Sequence, residues 1–219
     1  MAKKQKRRDV RKLMSKSVNV FHGRKSEDYP TYTESPLEAD LCYHLEFDKN
    51  VVSYQAQPFP ITYFFDGKLR SYTPDFKVTY QNGSVVYIEV KYEADKTRID
   101  NFEQWIEAIN QSLISQGSRV IVITELFIRK QPTYENLVNV YSATRLKLDK
   151  AFLVKIITAF ESKKNLTIAE LITQDKREYE LEQIHRLIFE RKLIAPINIE
   201  IISTSSVIQH SGESYECYI

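Results

Sequence analysis

The sequence predicts a mixed α/β domain, an antiparallel hairpin joined to a parallel strand and covered by helices, followed by a smaller module of helices and a short ribbon. Three observations predict it. The runs Tyr72-Thr73-Pro74-Asp75-Phe76 and Val86-Tyr87-Ile88-Glu89-Val90-Lys91-Tyr92 flank an Asn82-Gly83 turn, the pattern of a hairpin. A helical stripe (Ile99, Phe102, Trp105, Ile106, Ile109, Leu113) then precedes the apolar run 119–124, and strand, helix, strand implies a parallel pair through a right-handed crossover. Beyond about Arg145 the apolar spacing becomes helical, with two short apolar runs after Leu193.

The hairpin's register carries the chemistry. A two-residue loop at Asn82-Gly83 sets Phe76 opposite Glu89 and Asp75 opposite Val90, mixing apolar and charged on both faces. A three-residue loop, Gln81-Asn82-Gly83 with Gly83 left-handed, sets Asp75 opposite Glu89, Phe76 opposite Ile88 and Val78 opposite Val86. One face then holds Phe76, Val78, Val86, Ile88 and Val90, and the other holds Asp75, Glu89 and Lys91. Burial of an apolar face fixes register, so the three-residue loop is expected. Two carboxylates facing each other repel. A divalent cation between them removes the conflict, and hard oxygen ligands suit magnesium or manganese. Lys91 is placed to orient a water or to stabilise charge on a phosphate.

A third acid lies upstream. Ser35-Pro36-Leu37-Glu38 opens a helix to about Phe47, with Ser35 as N-cap and Pro36 at the first helical position. Glu38 falls among Leu41, Cys42 and Leu45 on the apolar arc, while Asp40 points away. A core-facing acid calls for a partner or a metal. A capping box between Ser35 and Glu38 explains the same residue without an active site, and the two roles are compatible. Between helix and hairpin, strands are expected at 51–55 and 61–65, with Asp66-Gly67 turning into 68–72 so that the sheet continues as a meander. Gln55, Gln57 and Arg70 are weak candidates for the site.

The order helix-Glu38, strands, Pro74-Asp75, Glu89-Val90-Lys91 is similar to that of the restriction-endonuclease-like PD-(D/E)xK superfamily. More closely, Gly23-Arg24-Lys25, Glu34-Ser35-Pro36-Leu37-Glu38, Leu45-Glu46-Phe47-Asp48, Gln57-Pro58, Tyr72-Thr73-Pro74-Asp75-Phe76 and Ile88-Glu89-Val90-Lys91 resemble the TnsA family. Its members are endonuclease subunits of heteromeric bacterial transposases. The resemblance is strong over about residues 20–95 and architectural beyond about 150. It implies a restriction-endonuclease-like mixed sheet flanked by helices, and a nuclease that cuts the 5′ ends of a transposon. It also implies two partners, a TnsB-type transposase and a TnsC-type ATP-dependent regulator. The family's catalytic residues map to Glu38, Asp75 and Lys91. Glu89 stands where the family also admits Gln, and glutamate is the better magnesium ligand. The expected catalytic set is Glu38, Asp75, Glu89 and Lys91. The expected ligands of Mg2+, with Mn2+ as a substitute, are Glu38, Asp75, Glu89 and the Val90 carbonyl.

Composition bounds the rest. The 219 residues are 42% hydrophobic, enough for one moderate domain and a small second one. Cys42 and Cys217 lie far apart, which argues against a disulfide framework and for a reducing cytosol. No Cys/His cluster has zinc spacing, and His22, His44, His185 and His210 are scattered. No apolar run reaches membrane length. A bacterial cytoplasmic, nucleoid-associated protein is expected. Net charge is +2, yet residues 1–26 hold ten Lys/Arg against Asp9, or +9, which leaves −7 for the rest. A basic arm on an acidic body reads as a DNA-backbone contact.

The expected organisation is therefore a basic arm over 1–26, a nuclease domain over 27–148 and an interaction domain over 149–219. In the last, helices are expected from Asp149 to Ser162, after the capping box Thr167-Ile168-Ala169-Glu170, and from Tyr179 to Arg191. Strands at 193–196 and 199–202 would complete a winged-helix-like module. From Ala151 to Ile219 it holds eight Lys/Arg against ten Asp/Glu, and its third helix carries Glu178, Glu180, Glu182 and Glu190. That is a poor major-groove surface, so a protein partner is preferred. The alternatives to a transposase endonuclease are a stand-alone restriction or repair-type nuclease and a non-catalytic assembly factor.

Overall fold

The computed structural model describes residues 18–212. Two compact units divide the chain between Arg129 and Lys130. The basic run of the arm lies in residues 1–17, outside the described residues, as does Cys217.

The first unit runs β1 (Asn19–Phe21), β2 (Thr31–Thr33), α1 (Pro36–Phe47), β3 (Val51–Ala56), β4 (Ile61–Phe65), β5 (Lys68–Tyr72), β6 (Phe76–Tyr80), β7 (Val85–Lys91), α2 (Glu93–Lys96), α3 (Phe102–Leu113), β8 (Arg119–Thr124) and α4 (Glu125–Ile128). Its main sheet has the order β3-β6-β7-β8. The first three strands are antiparallel and β8 joins parallel to β7, as strand, helix, strand implied. Leu37, Leu41, Cys42 and Leu45 of α1 are buried, as are Phe76, Val78, Ile88 and Val90 on the sheet. The sequence thus gives a mixed sheet flanked by helices, the arrangement of restriction-endonuclease-like folds.

The expected meander is corrected. β4 and β5 form a separate two-stranded ribbon, and β3 pairs directly with β6. Gln57 turns into the left-handed region at φ 47° and breaks the strand direction after Ala56. Pro58 and Pro60 then supply no ladder donors. The ribbon packs on α3 through Ile61, Tyr63, Ile109 and Leu113, and the Trp105 indole N–H donates to the Tyr63 hydroxyl at 2.9 Å. Trp105 is thus part of the packed interior, as its spacing suggested. Asp66 and Gly67, at φ 52° and 68°, close the ribbon, the paired left-handed conformations of a type I′ turn. Ile99 departs from the expected stripe: α3 starts only at Phe102, after Asn101 at φ 56°, and Ile99 is exposed.

Residues 18–26, expected as part of the arm, are packed on the first unit. β1 pairs with β2, and Ser26 bridges to Tyr54. The Lys25 ammonium donates to the carbonyls of Leu45 (3.3 Å) and Asp48 (2.6 Å). A cation there satisfies carbonyls at the C-terminal end of α1, so residues 18–26 belong to the first unit.

The second unit runs α5 (Thr133–Ser142), α6 (Lys150–Ser162), β9 (Asn165–Thr167), α7 (Ile168–Leu171), α8 (Arg177–Phe189), β10 (Leu193–Ile194) and β11 (Val207–His210). Its antiparallel sheet has the order β10-β11-β9. The unit begins well before the expected boundary at 148/149 because α5 is tied into it. Buried Asn136 donates to the carbonyls of Ile197 and Glu200, both at 2.8 Å, and accepts from the Ile202 N–H at 2.9 Å. Those same bonds hold 199–202 as a loop, so the strand expected there is absent and β11 takes its place. The Thr167–Glu170 capping box is present. Glu180 faces inward, accepting from Lys155 and from Thr173. Glu190 pairs with Arg186. Two of the four acids counted against a groove-binding surface are therefore already neutralised within the unit.

Candidate active site

The hairpin adopts the three-residue loop. Gly83 sits at φ 79°, the Tyr80 N–H donates to Ser84 O at 2.9 Å, and Phe76 pairs with Ile88 and Val78 with Val86. That register places Asp75, just before β6, beside Glu89 of β7, with Lys91 two residues further along the same strand.

Asp75 is held at both oxygens. Its Oδ2 accepts from the Val90 N–H at 2.7 Å and its Oδ1 from the Gln57 side-chain amide at 3.3 Å. Burial pushes its carboxyl well above the usual aspartate value, and the neighbouring Glu89 and Glu38 carboxylates push further in the same direction. Glu89 is buried, accepting from the Tyr72 hydroxyl at Oε2 and ion-paired through Oε1 with the Lys91 ammonium at 2.7 Å. Burial alone would lower the Lys91 pKa, but the Glu89, Asp75 and Glu38 carboxylates together outweigh it and the net shift is upward. Lys91 is therefore a firmly charged cation in this setting. Tyr72 is pushed up by burial and by Glu89, so its phenol stays protonated and donating.

Glu38 sits at the start of α1, where Ser35 Oγ accepts from the Glu38 N–H at 3.2 Å. Its carboxylate accepts from the Glu34 N–H at 2.9 Å and from the Ser35 hydroxyl at 2.8 Å. Burial raises its pKa, and Glu34 and Glu89 add to the rise. The helix-capping role and the proximity to the hairpin acids thus coexist in one residue. The structure brings all four expected residues into one electrostatic cluster, three carboxylates against the Lys91 ammonium. Gln55 pairs with Lys77 on the sheet. Arg70 lies on the ribbon, 3.4 Å from Asp66 and 5.4 Å over the Phe65 ring.

Residues 48–125 match the family model described as TnsA-like endonuclease N terminal. The chain is TnsA-like over this segment. It comprises 78 of the 219 residues and contains Asp75, Glu89 and Lys91, while Glu38 lies ahead of it. No curated protein matches the chain. The TnsA-like segment accounts for β3 through β8, the sheet together with its inserted ribbon.

Among the described residues, no group of three or more His, Cys, Asp and Glu side chains is disposed to hold a metal ion. The donor chemistry nonetheless fits a divalent cation. The acids supply hard oxygens, the cluster has more negative than positive charge, and Asp75 is driven toward protonation by burial first and then by the Glu89 and Glu38 carboxylates, whose repulsion a cation would relieve. Each carboxylate oxygen already accepting a hydrogen bond keeps a second lone pair for a ligand bond.

Sequence reasoning underweighted two residues. Gln57, a weak candidate, is buried and donates to Asp75 through its side chain, and its backbone N–H donates to Asp75 O at 2.8 Å. Tyr72 reads from the sequence only as part of a strand. The Gln57-Pro58 dipeptide marks a turn, but no local pattern says which acid the turn reaches.

Proposed function

We propose that this TnsA-like chain is a divalent-metal-dependent DNA endonuclease of a heteromeric transposase, cutting the 5′ ends of the transposon. The observation that carries the reading is the convergence of Asp75, Glu89 and Lys91, all inside the matched segment, with Glu38 contributed by α1. Asp75, Glu89, the Val90 carbonyl and Glu38 would hold magnesium or manganese. When bound, such an ion supplies an activated water and charge stabilisation at the leaving oxygen. Lys91 contributes a fixed ammonium next to Glu89, suited to orienting that water or stabilising charge on the scissile phosphate. Asp75 stays aimed by Val90 and Gln57 as the substrate arrives.

By its resemblance, the protein acts on DNA at transposon ends together with a TnsB-type transposase and a TnsC-type regulator. The second unit supports an interaction role. After α5 it runs helix, strand, two helices and two strands, with the last strand central in the sheet, an order compatible with the winged-helix-like module proposed for it. Ile194, Val207, Ile199 and Ile201 are exposed on it, apolar surface of the kind protein partners cover. Among the described residues no helix is long and apolar enough to cross a membrane.

The test is strand-specific nicking of end-labelled transposon-end DNA by the full chain, combined with its neighbouring transposase and regulator. Magnesium-dependent nicking that disappears in Asp75→Ala is expected. Nicking that persists in that variant rejects the site. Efficient cleavage of naked DNA by the chain alone points instead to a stand-alone nuclease.

A further inference from the structure

The two hydrogen bonds that aim Asp75 and Glu89 come from the two ends of one excursion of the chain. After β3 the backbone leaves the sheet at Gln57, forms the β4–β5 ribbon, and returns at Tyr72, three residues before Asp75. Gln57 grips Asp75 twice, through Nε2 to Oδ1 at 3.3 Å and through its backbone N–H to Asp75 O at 2.8 Å. It does so from a left-handed backbone, at φ 47°, which an L residue adopts only against steric resistance. Sites that hold such conformations are commonly functional ones. At the other end, the Tyr72 hydroxyl donates to Glu89 Oε2, leaving Oε1 to Lys91.

Tyr72 is itself fixed. The Trp105 ring meets it edge-on, with centroids 5.2 Å apart and planes at 87°. Trp105 is anchored in turn by its bond to Tyr63 on the ribbon. The ribbon's inner residues Ile61 and Tyr63 are locked to α3 by packing. Tyr72 is therefore set by the ribbon and its packing on α3, and Gln57 by its backbone bond to Asp75 at the point where β3 ends. A carboxylate that ligates a metal needs an outer partner to fix its orientation, and such partners are worth about 10- to 100-fold in metal affinity or activity.

We infer that Gln57 and Tyr72 are positioning residues for the metal-binding acids, Gln57 placed by the turn that ends β3 and Tyr72 by the β4–β5 ribbon packed on α3. The inference rests on the proposed metal-dependent reading of the site. Neither side chain needs to touch the substrate or the ion: Gln57 orients Asp75, and Tyr72 orients Glu89 while leaving its remaining lone pairs free.

The test is calorimetric titration of the full chain with Mn2+ alone, with thermal melting on the same samples. Tyr72→Phe removes the hydroxyl and keeps the ring against Trp105. Gln57→Met removes the amide and keeps the length. Each is expected to weaken Mn2+ binding by about 10- to 100-fold with a cooperative melt retained. A merely structural role would lower the melting temperature and leave the Mn2+ Kd at its wild-type value, and that result in both variants overturns the inference. Should Tyr72→Phe fail to fold, Gln57→Met decides alone. Asp75→Ala separates the two layers. If it abolishes Mn2+ binding while both positioning variants bind normally, only this inference fails. If it leaves Mn2+ binding unchanged, the metal reading fails and this inference with it.

Discussion

Asp75 Oδ2 accepts a 2.7 Å hydrogen bond from the Val90 N–H. The β6–β7 pairing ends at Phe76 and Ile88, so beyond that point a side-chain carboxylate links the two chain segments. The same residue faces Glu89 and Glu38, which push its carboxyl upward together with burial. Asp75→Asn keeps an oxygen for Val90 and removes one negative charge from the cluster. Without divalent ions, the variant should melt at a higher temperature than the wild type. Its DNA nicking should fall by more than the 10- to 100-fold that an outer partner is worth. Melting curves and single-turnover nicking check the two halves separately, and a lower melting temperature would contradict the charge argument.

Lys91 is paired with Glu89 at 2.7 Å, so removing it acts on binding and on chemistry in opposite directions. Lys91→Met deletes the ammonium from a cluster of three acids. Mn2+ should bind as tightly as in the wild type or more tightly, because a competing cation is gone. The nicking rate at saturating metal should drop by roughly 10²- to 10⁴-fold, the range for a group acting on proton transfer or transition-state charge. Loss of metal affinity in this variant would instead make Lys91 a structural support for Glu89.

Much of this site was legible because β-pairing is a register problem with few solutions. Asp75, Glu89 and Lys91 share a face once Phe76, Val78, Ile88 and Val90 must be buried, and the structure buries those four. The Ser35 cap and the start of α1 followed from side-chain chemistry within four residues. What the sequence hid were non-local partnerships. Pairing of β3 with β6 across the β4–β5 insert, the grip of Gln57 on Asp75, and the Asn136 bonds that draw α5 into the second unit all join segments far apart in the chain. Local pattern carries no information about them. The strand expected at 199–202 shows the same limit: its alternating isoleucines satisfy strand periodicity, but Asn136 claims the backbone groups a strand would need.

Gly23 tests how the start of the first unit is seated. A Cβ at this position would lie 1.9 Å from the Tyr54 hydroxyl and 2.7 Å from Glu46 Oε1. Tyr54 is fully buried and its hydroxyl donates to Glu46 at 3.0 Å, so it has no room to retreat. Gly23→Ala should destabilise the first unit by about 1–3 kcal/mol, the usual range for overpacking. In a Tyr54→Phe background the same substitution should cost less, because the nearest atom is gone. A double-mutant cycle by denaturant melting reads the coupling, and additive effects would place the clash elsewhere.

Asn136 sets the boundary of the second unit. Asn136→Ala takes the partner from the half-buried bonds of the Ile197 and Glu200 carbonyls and from the buried bond of the Ile202 N–H. Stranded groups of this kind should cost the unit at least about 2 kcal/mol. A fragment of residues 130–219 should melt cooperatively. A fragment of residues 149–219, which lacks α5, should not. Equal cooperativity in the two fragments would restore the boundary near 148.

Glu170 provides a pH signature for the second unit alone. Its carboxylate pairs with the Lys163 ammonium at 2.9 Å and accepts from the Thr167 N–H at 2.8 Å. Lys163 first, then Thr167, hold its pKa down at about 2, from an ordinary value of 4.5. A depressed pKa means that the folded state prefers the ionised acid. The contribution is therefore fully present above about pH 4.5, and it is lost as pH falls toward about 2. Glu170→Gln keeps an oxygen for the Thr167 N–H but has nothing to titrate. The wild type should be the more stable protein at neutral pH, and the difference should shrink on acidification through that window. Because other carboxylates titrate there too, the quantity to follow is the wild-type minus variant melting temperature at each pH. A difference that stays constant from neutral pH down to pH 2 would show that the Lys163–Glu170 pair adds nothing to the cap.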